Sequence, residues 1–325
     1  GAISAGCVPL QALSMPVAQE PSRLKVYLAF AAIYIIWGST YFGIREALTG
    51  FPPFMLGGLR FAVASVLMFA WCGAARVPLF PGRDLWKPLL TGFLLLFVGN
   101  GAVVWAQQSL PSSVAAITIA VAPLSFTLLD KPQWKVNFRS PATLLGVLAG
   151  IIGVWLLFRE RLSTQLASDG YSPEFSAFIA LSFGLIAWPA GSLFTKYNPV
   201  KLENTANSAW QMLTGAACFL AVSAARDEWS GFDFAAVPLR AWIAEAYLIV
   251  FGSIIGFSAY VWLLSVRPAT QVSTYAYVNP VVAVLLGVFL GNEILDWHEI
   301  AGLVVILGGV LMINLAKYRS TKQQA

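Results

Sequence analysis

Pro268-Ala269-Thr270-Gln271-Val272-Ser273-Thr274-Tyr275-Ala276-Tyr277-Val278-Asn279-Pro280 opens an otherwise apolar run that continues from Val281 to Gly287. The whole reads as a membrane-spanning helix with its polar groups in the first half. Tyr275 and Asn279 are four apart and share a face. Pro280 has no N–H for the carbonyl of Ala276 and crowds it, which loosens one turn where Asn279 sits. A phenol, an amide and a freed carbonyl near mid-bilayer are costly unless buried in protein or facing a wet cavity. The stretch is therefore either a cavity wall or a packing seam glued by small and polar residues. Tyrosines are bulky for a seam, which favours the cavity.

Composition agrees with a membrane reading. Of 325 residues, 58% are hydrophobic and 11% charged, and mean hydropathy is +0.73. Soluble domains carry about a quarter charged residues. The chain reads as an all-α polytopic membrane protein in a lipid bilayer, with apolar runs of about 20 residues as its spans. Ten runs qualify: 26–47, 54–74, 86–108, 112–130, 141–159, 173–195, 204–224, 241–265, 268–291 and 297–316. Proline-bearing turns such as Phe51-Pro52-Pro53 and Ser140-Pro141 fall between them. The connections are short, leaving no room for a soluble catalytic domain. Residues 1–25 read as a tail, disordered or derived from an expression vector, with Met15 as the native start. Ser4-Ala5-Gly6-Cys7 is similar to a lipoprotein cleavage box but lacks the charged and apolar regions that precede one. Cys7, Cys72 and Cys218 have no zinc or redox spacing, so neither metal nor cofactor is expected. The net charge of +5 is dispersed, which argues against a nucleic-acid partner.

Basic residues set the orientation. With the N-terminus in the cytoplasm, 14 of the 20 Lys and Arg fall on cytoplasmic segments, among them Arg76, Lys87, Lys131, Arg139 and Arg267. Both termini are then cytoplasmic. An internal repeat appears as well. Trp37 aligns with Trp188 and Arg60 with Gln211, Gly99 with Gly252, and Ala122-Pro123 with Asn279-Pro280. Five helices is an odd number, so the second unit (173–316) is inverted across the membrane relative to the first (26–159). Inverted repeats are the architecture of alternating-access transporters, with the substrate site at the interface near the midplane.

Ile36-Trp37-Gly38-Ser39-Thr40, Gly58-Leu59-Arg60-Phe61, Gly99-Asn100-Gly101, Tyr275 to Pro280 and Gly291-Asn292-Glu293 together resemble the EamA-type drug/metabolite transporters. The resemblance covers roughly residues 26–316 and is greatest to the YddG-type amino-acid exporters. It implies ten helices in two repeats, a central cavity lined mainly by helices 3, 4, 8 and 9, and export of small metabolites across an inner membrane. The second repeat departs from the first, since Trp188-Pro189-Ala190-Gly191 replaces Trp-Gly-Ser-Thr and Gln211 replaces Arg60.

Candidate substrate-binding residues are Trp37, Asn100, Tyr260, Tyr275 and Asn279. Asn100, Gln107 and Gln108 lie at i, i+7 and i+8, one helical face, and Ser253 and Tyr260 are likewise seven apart. Gln107 and Gln108 either continue this stripe or meet water at the outer interface. Trp37 is about 17 Å into its span at the helical rise, too deep for an interfacial belt; it lines the cavity or packs the core. Trp86, Trp210, Trp242 and Trp297 fit a belt. Gly146, Gly150 and Gly153 with Gly302, Gly308 and Gly309 serve helix packing or the contact of a weak homodimer. All 15 acidic residues fall in loops, in the tail or near span ends, Glu46, Asp130, Glu245 and Glu293 coming closest to the bilayer. No ionisable relay of the kind proton-driven carriers use is therefore expected, nor a nucleotide-binding loop or catalytic cluster. Arg60 is the one basic residue well inside a span. It snorkels to the outer face, bonds helix-end carbonyls or an acid such as Glu46, or attracts an anionic group of a solute. The combined reading is a facilitator or exchanger of small organic solutes, amino acids first, acting as a monomer or weak homodimer. A channel and a membrane-embedded enzyme are the alternatives.

Overall fold

Helices carry the chain from end to end in the computed structural model, which describes residues 22–166 and 172–324, and no strand occurs among them. They are α1 (Arg23–Ala47), α2 (Pro53–Ala74), α3 (Gly82–Ala106), α4 (Ser112–Leu129), α5 (Pro141–Leu166), α6 (Pro173–Tyr197), α7 (Asn204–Ala225), α8 (Leu239–Val266), α9 (Tyr275–Phe289) and α10 (Trp297–Gln324). All but α5, α9 and α10 are long and apolar enough to cross a membrane; those three carry the shorter apolar stretches Pro141–Gly153, Tyr275–Phe289 and Trp297–Gly309. Pro53, Pro141 and Pro173 sit at first helical positions, where a missing N–H costs nothing. Ser22 caps α1 by accepting from the Lys25 N–H, so helix begins three residues ahead of the expected boundary at 26. Most of the tail, with Cys7 and Met15, lies outside the described residues.

Several helices are interrupted near their middles. π-Helical winding occupies Ala32–Ile36 in α1, Phe93–Asn100 in α3 and Leu248–Phe257 in α8. Such wide turns concentrate at functional sites. α4 breaks at Ala120–Val121, just ahead of Pro123. The continuous span expected over 268–291 is divided: one turn, Ala269–Val272, ends before α9 begins at Tyr275. Thr274 Oγ1 donates to the Gln271 carbonyl at 2.7 Å at this division, the local competition with helix that Ser and Thr offer. Pro280, by contrast, is accommodated inside α9.

Partners in the bundle are paired in a regular way. α2 packs on α7, α3 on α6 and α7, α1 on α8 and α9, and α4 on α6 and α9. α5 and α10 pack chiefly on each other. There the glycines are used within the chain: Gly153 meets Ile306, and Gly309 meets the Gly146 carbonyl and Ala149. The buried core runs through the middle of the bundle around Phe61, Leu96, Phe219, Phe257 and Tyr260.

Candidate functional site: a closed cavity under four aromatic rings

Four rings from four helices meet at the centre of the bundle. Trp37 of α1 stands edge-on to Trp188 of α6 (centroids 5.4 Å, 82°) and to Tyr275 of α9 (5.3 Å, 86°), and lies 4.9 Å from Tyr260 of α8. Tilted and edge-on geometries are the favoured ones for aromatic pairs. Polar atoms pin the rings. Trp37 Nε1 donates to the Gly252 carbonyl at 3.2 Å, Trp188 Nε1 donates to the Tyr260 hydroxyl at 3.1 Å, and that hydroxyl shares a 2.6 Å bond with Ser192 Oγ. Glycine makes the approach possible: a Cβ at Gly256 would lie 2.6 Å from Trp37 Nε1, and one at Gly99 would lie 2.9 Å from Trp188 Cε3.

A cavity of about 70 Å³ opens beside these rings, lined by Trp37, Arg60, Asn100, Trp188, Ser253, Tyr275 and Asn279 among others. That is room for a few waters. Four of the five residues expected at a site share this wall. Tyr260 does not: it is fully buried one layer behind, its hydroxyl taken by Trp188 and Ser192. The seven-residue stripe from Ser253 to Tyr260 assumed α-helical winding, and the π stretch of α8 rotates it apart. Of the two readings of Gln107 and Gln108, the cavity stripe is not the one the structure favours. α3 ends at Ala106, so both lie in the turn beyond it, away from the cavity. The resemblance pointed mainly to helices 3, 4, 8 and 9, but α1, α2 and α6 also supply wall residues.

Each wall residue has its own chemistry. Asn279, with its amide oriented to suit its neighbours, donates from Nδ2 toward the carbonyls of Ile33 (3.2 Å), Tyr34 (3.0 Å) and Tyr275 (3.1 Å). It thereby ties α9 to the π turn of α1. Asn100 Oδ1 is buried without a hydrogen-bond partner. Trp188 was not among the expected site residues, although its alignment with Trp37 was the available signal.

Arg60 departs from two of its expected roles. It is 3% exposed and does not snorkel, and its partner is not Glu46. Its Nε donates to Ser253 Oγ at 2.8 Å, while its Nη1 is buried with no partner. The charge that acts on it is Glu245, itself 2% exposed with neither carboxylate oxygen hydrogen-bonded. The expectation that the acids stay in loops, in the tail or near span ends, with none deep in a helix, fails for Glu245. α8 begins at Leu239 rather than 241 and buries Glu245 against the bundle, at a helical depth similar to that of Arg60.

Glu293, which follows α9, ties the start of α4 to α1. Asn292 turns the chain at φ 50°, a conformation Asn tolerates better than most residues. The Glu293 carboxylate accepts from the N–H groups of Ser112 (2.9 Å) and Ser113 (3.1 Å), from their hydroxyls (2.6 and 2.5 Å), and pairs with Arg45 of α1. Burial disfavours its charged form, but these donors outweigh burial and hold the carboxyl below its ordinary range. At the end of α6, Lys196 donates to the carbonyls of Leu264 (3.3 Å) and Arg267 (2.8 Å), and Tyr197 donates to Asp130 at 2.7 Å.

A helical bundle with a mostly apolar cavity at its middle, carrying a few polar side chains and walled by broken helices, is the construction of a membrane transporter. The model of the EamA-like transporter family matches residues 24–159 and again 166–315, and the chain belongs to that family. It is 37% identical over 298 residues to the "Uncharacterized inner membrane transporter YedA" of Escherichia coli K12, covering 91% of this chain and 92% of that one. The "Uncharacterized transporter YoaV" of Bacillus subtilis is 22% identical over 89% of this chain and 96% of its own. "Protein PecM" of Dickeya dadantii is 23% identical over 90% and 92%. A solved structure named only as the crystal structure of a protein shares the fold, with TM-score 0.64 at 20% identity over 90% of this chain and 98% of that one. The chain is a multi-pass inner-membrane transporter of EamA type.

Proposed function

We propose that the chain exports small organic metabolites, amino acids including aromatic ones, by alternating access as a facilitator or exchanger. The observation that carries this is the central cavity, on whose wall Trp37 and Trp188, equivalent positions of the two halves, meet face to edge. Rings of this kind offer a platform for an apolar or aromatic side chain, while Asn100, Tyr275 and Asn279 supply the polar contacts.

The architecture we infer is ten spans in two inverted five-helix units, residues 26–159 and 173–316, with both termini cytoplasmic. Helix pairing supports it. Exchanging each helix of the first five with its counterpart in the second converts the α1–α8 contact into α6–α3, and α1–α9 into α6–α4, and maps α2–α7, α4–α9 and α5–α10 onto themselves. Two separate matches to the family model point the same way. In this orientation the Glu293 tie closes the outer end and the Lys196 and Asp130 ties close the inner end. Transport then breaks one set while keeping the other. The protein works as a monomer or weak homodimer.

Counterflow in proteoliposomes is the test. Labelled phenylalanine, leucine, uridine and glucose are offered outside vesicles preloaded with each unlabelled solute. Saturable trans-stimulation by the amino acids is expected. Flux that neither saturates nor responds to preloading would mark a channel, and stimulation only by uridine or glucose would refute the substrate class.

A further inference from the structure

A groove of about 530 Å³ runs along α1 and shares no wall residue with the central cavity. Its two walls are ladders. On α1, Arg23, Val26, Phe30 and Tyr34 succeed one another at three- and four-residue steps, one helical face. Facing them, Arg267 follows the last residue of α8, and Gln271 and Thr274 come after it, ahead of α9. The ladders meet where the Tyr34 hydroxyl shares a 2.6 Å hydrogen bond with Thr274 Oγ1. Both arginines are therefore at the opposite end, Arg23 roughly 16 Å from Tyr34 at the helical rise. Arg267 is held in place, since its carbonyl accepts from Lys196 Nζ at 2.8 Å. Its Nε is buried without a hydrogen-bond partner. No acidic side chain lines the groove, and neither arginine has an ion-pair partner among the described residues. The surroundings are those of a membrane surface. Leu24, Tyr27 and Leu28 stand exposed on the same stretch of α1. Beside them Lys25 Nζ lies 4.9 Å from the centre of the Trp262 ring, the pairing of a snorkelling cation with a belt tryptophan.

We propose that this groove seats an anionic glycerophospholipid, its phosphodiester on Arg23 and Arg267 and an acyl chain along Val26 and Phe30 toward Tyr34. Basic pockets between spanning helices on the cytoplasmic side take anionic headgroups, and the orientation inferred above puts the arginines there. The guanidinium fork matches the paired oxygens of a phosphate. A soluble phosphate ester would use the cations and leave the apolar walls to water; a lipid covers both. The seat also touches the transport machinery from behind. The Tyr34 that closes the groove offers its carbonyl to Asn279 Nδ2 at 3.0 Å, so a chain packed on Tyr34 braces the turn that carries the cavity wall. Bound lipid therefore stabilises the fold, whichever solute is carried.

The test counts lipids retained by the purified full chain in native mass spectrometry from a neutral detergent. Dioleoyl phosphatidylglycerol and dioleoyl phosphatidylcholine are titrated separately, with glycerol 3-phosphate as the chain-free probe, and thermal unfolding is followed in parallel. For wild type, one phosphatidylglycerol should be retained at a tenth or less of the concentration that phosphatidylcholine needs, and only the former should raise the melting temperature. Arg23→Gln with Arg267→Gln should lose both the preference and the shift, while Arg23→Lys with Arg267→Lys should keep part of each. Arg83→Gln with Lys135→Gln, which removes cations from other connections, should behave as wild type. Equal retention of the two lipids by wild type overturns the site. So does a preference that the Arg83 and Lys135 pair lowers as much as the arginine pair does, since the attraction is then diffuse. Glycerol 3-phosphate binding as tightly as phosphatidylglycerol overturns the lipid as occupant.

Discussion

Replacing Glu293 by Gln removes one charge at the point where three parts of the bundle meet. Wild-type Glu293 accepts four hydrogen bonds from Ser112 and Ser113 and pairs with Arg45. In the amide, Oε1 still serves one serine, but Nε2 then faces the other serine's N–H, donor against donor. A serine hydroxyl can rotate to accept; a backbone N–H cannot. One buried donor without an acceptor costs about 1–3 kcal/mol, and the two remaining bonds each fall from the charged range of about 1.5–3 toward about 1 kcal/mol. The Arg45 side chain is 37% exposed, so its share is small, within about 1 kcal/mol. A total near 3 kcal/mol follows, which over 325 residues, at about 2.1 cal/mol/K of unfolding entropy each, lowers the melting temperature by roughly 4–5 °C. Thermal unfolding in detergent, read by tryptophan fluorescence, measures it for Glu293→Gln, Glu293→Asp and Arg45→Gln. Aspartate keeps the charge but loses reach, and should fall between wild type and Gln. If Arg45→Gln costs as much as Glu293→Gln, or if Glu293→Gln costs under about 1 kcal/mol, the serine donors are not what holds this end closed.

The same tie has a pH signature: because the folded carboxyl titrates below its ordinary value of 4.5, the advantage of wild type over Glu293→Gln is fully present above that value and is lost as pH falls through the folded one. Melting curves from pH 7 downward check this, and a gap that already narrows between pH 7 and 5 would contradict it. Tyr275→Phe and Asn279→Ala should lower uptake at subsaturating solute, by about 0.5–1.5 kcal/mol for one lost hydrogen bond; normal transport by both would make these residues packing glue only. Asn279→Ala should also lower the melting temperature, because the carbonyls of Ile33, Tyr34 and Tyr275 lose their donor. Gly256→Ala forces its methyl to within 2.6 Å of Trp37 Nε1, so uptake should drop by tenfold or more while a Gly308→Ala control, with nothing within 4 Å, behaves as wild type. Cysteine placed at Ser230 should react with an impermeant maleimide from outside the cell and cysteine at Ser140 should not; the opposite pattern inverts the proposed orientation.

What could be read from the sequence, and what could not, divides along the winding of the helices. Span existence rests on apolar length, and seven of the ten expected positions carry helices long and apolar enough to cross a membrane, the other three carrying shorter apolar helices. Trp37, Tyr275 and Asn279 were recognisable because depth within a span and spacing around Pro280 do not depend on fine register. Tyr260 falls off the cavity wall because a seven-residue period holds only in unbroken α-helix and α8 carries a ten-residue π stretch, whereas of the two readings of Gln107 and Gln108 the one at the helix end fits, since α3 ends at Ala106. Nothing in Leu248–Phe257 announces π winding; its glycines and branched residues serve an α-helix as well. Glu245 was hidden for another reason. An acid six residues past the first helical residue reads as interfacial when only apolar length is counted, and only packing shows that its side is the inner one. Its partner Arg60 was visible from the start as a cation too deep to ignore, yet a cation at depth implies an anion without saying which. The two were found together because burial makes each explain the other. Neither charge is tolerable alone in a dry wall, yet neither has its full set of partners. A pair optimised for stability would close that gap.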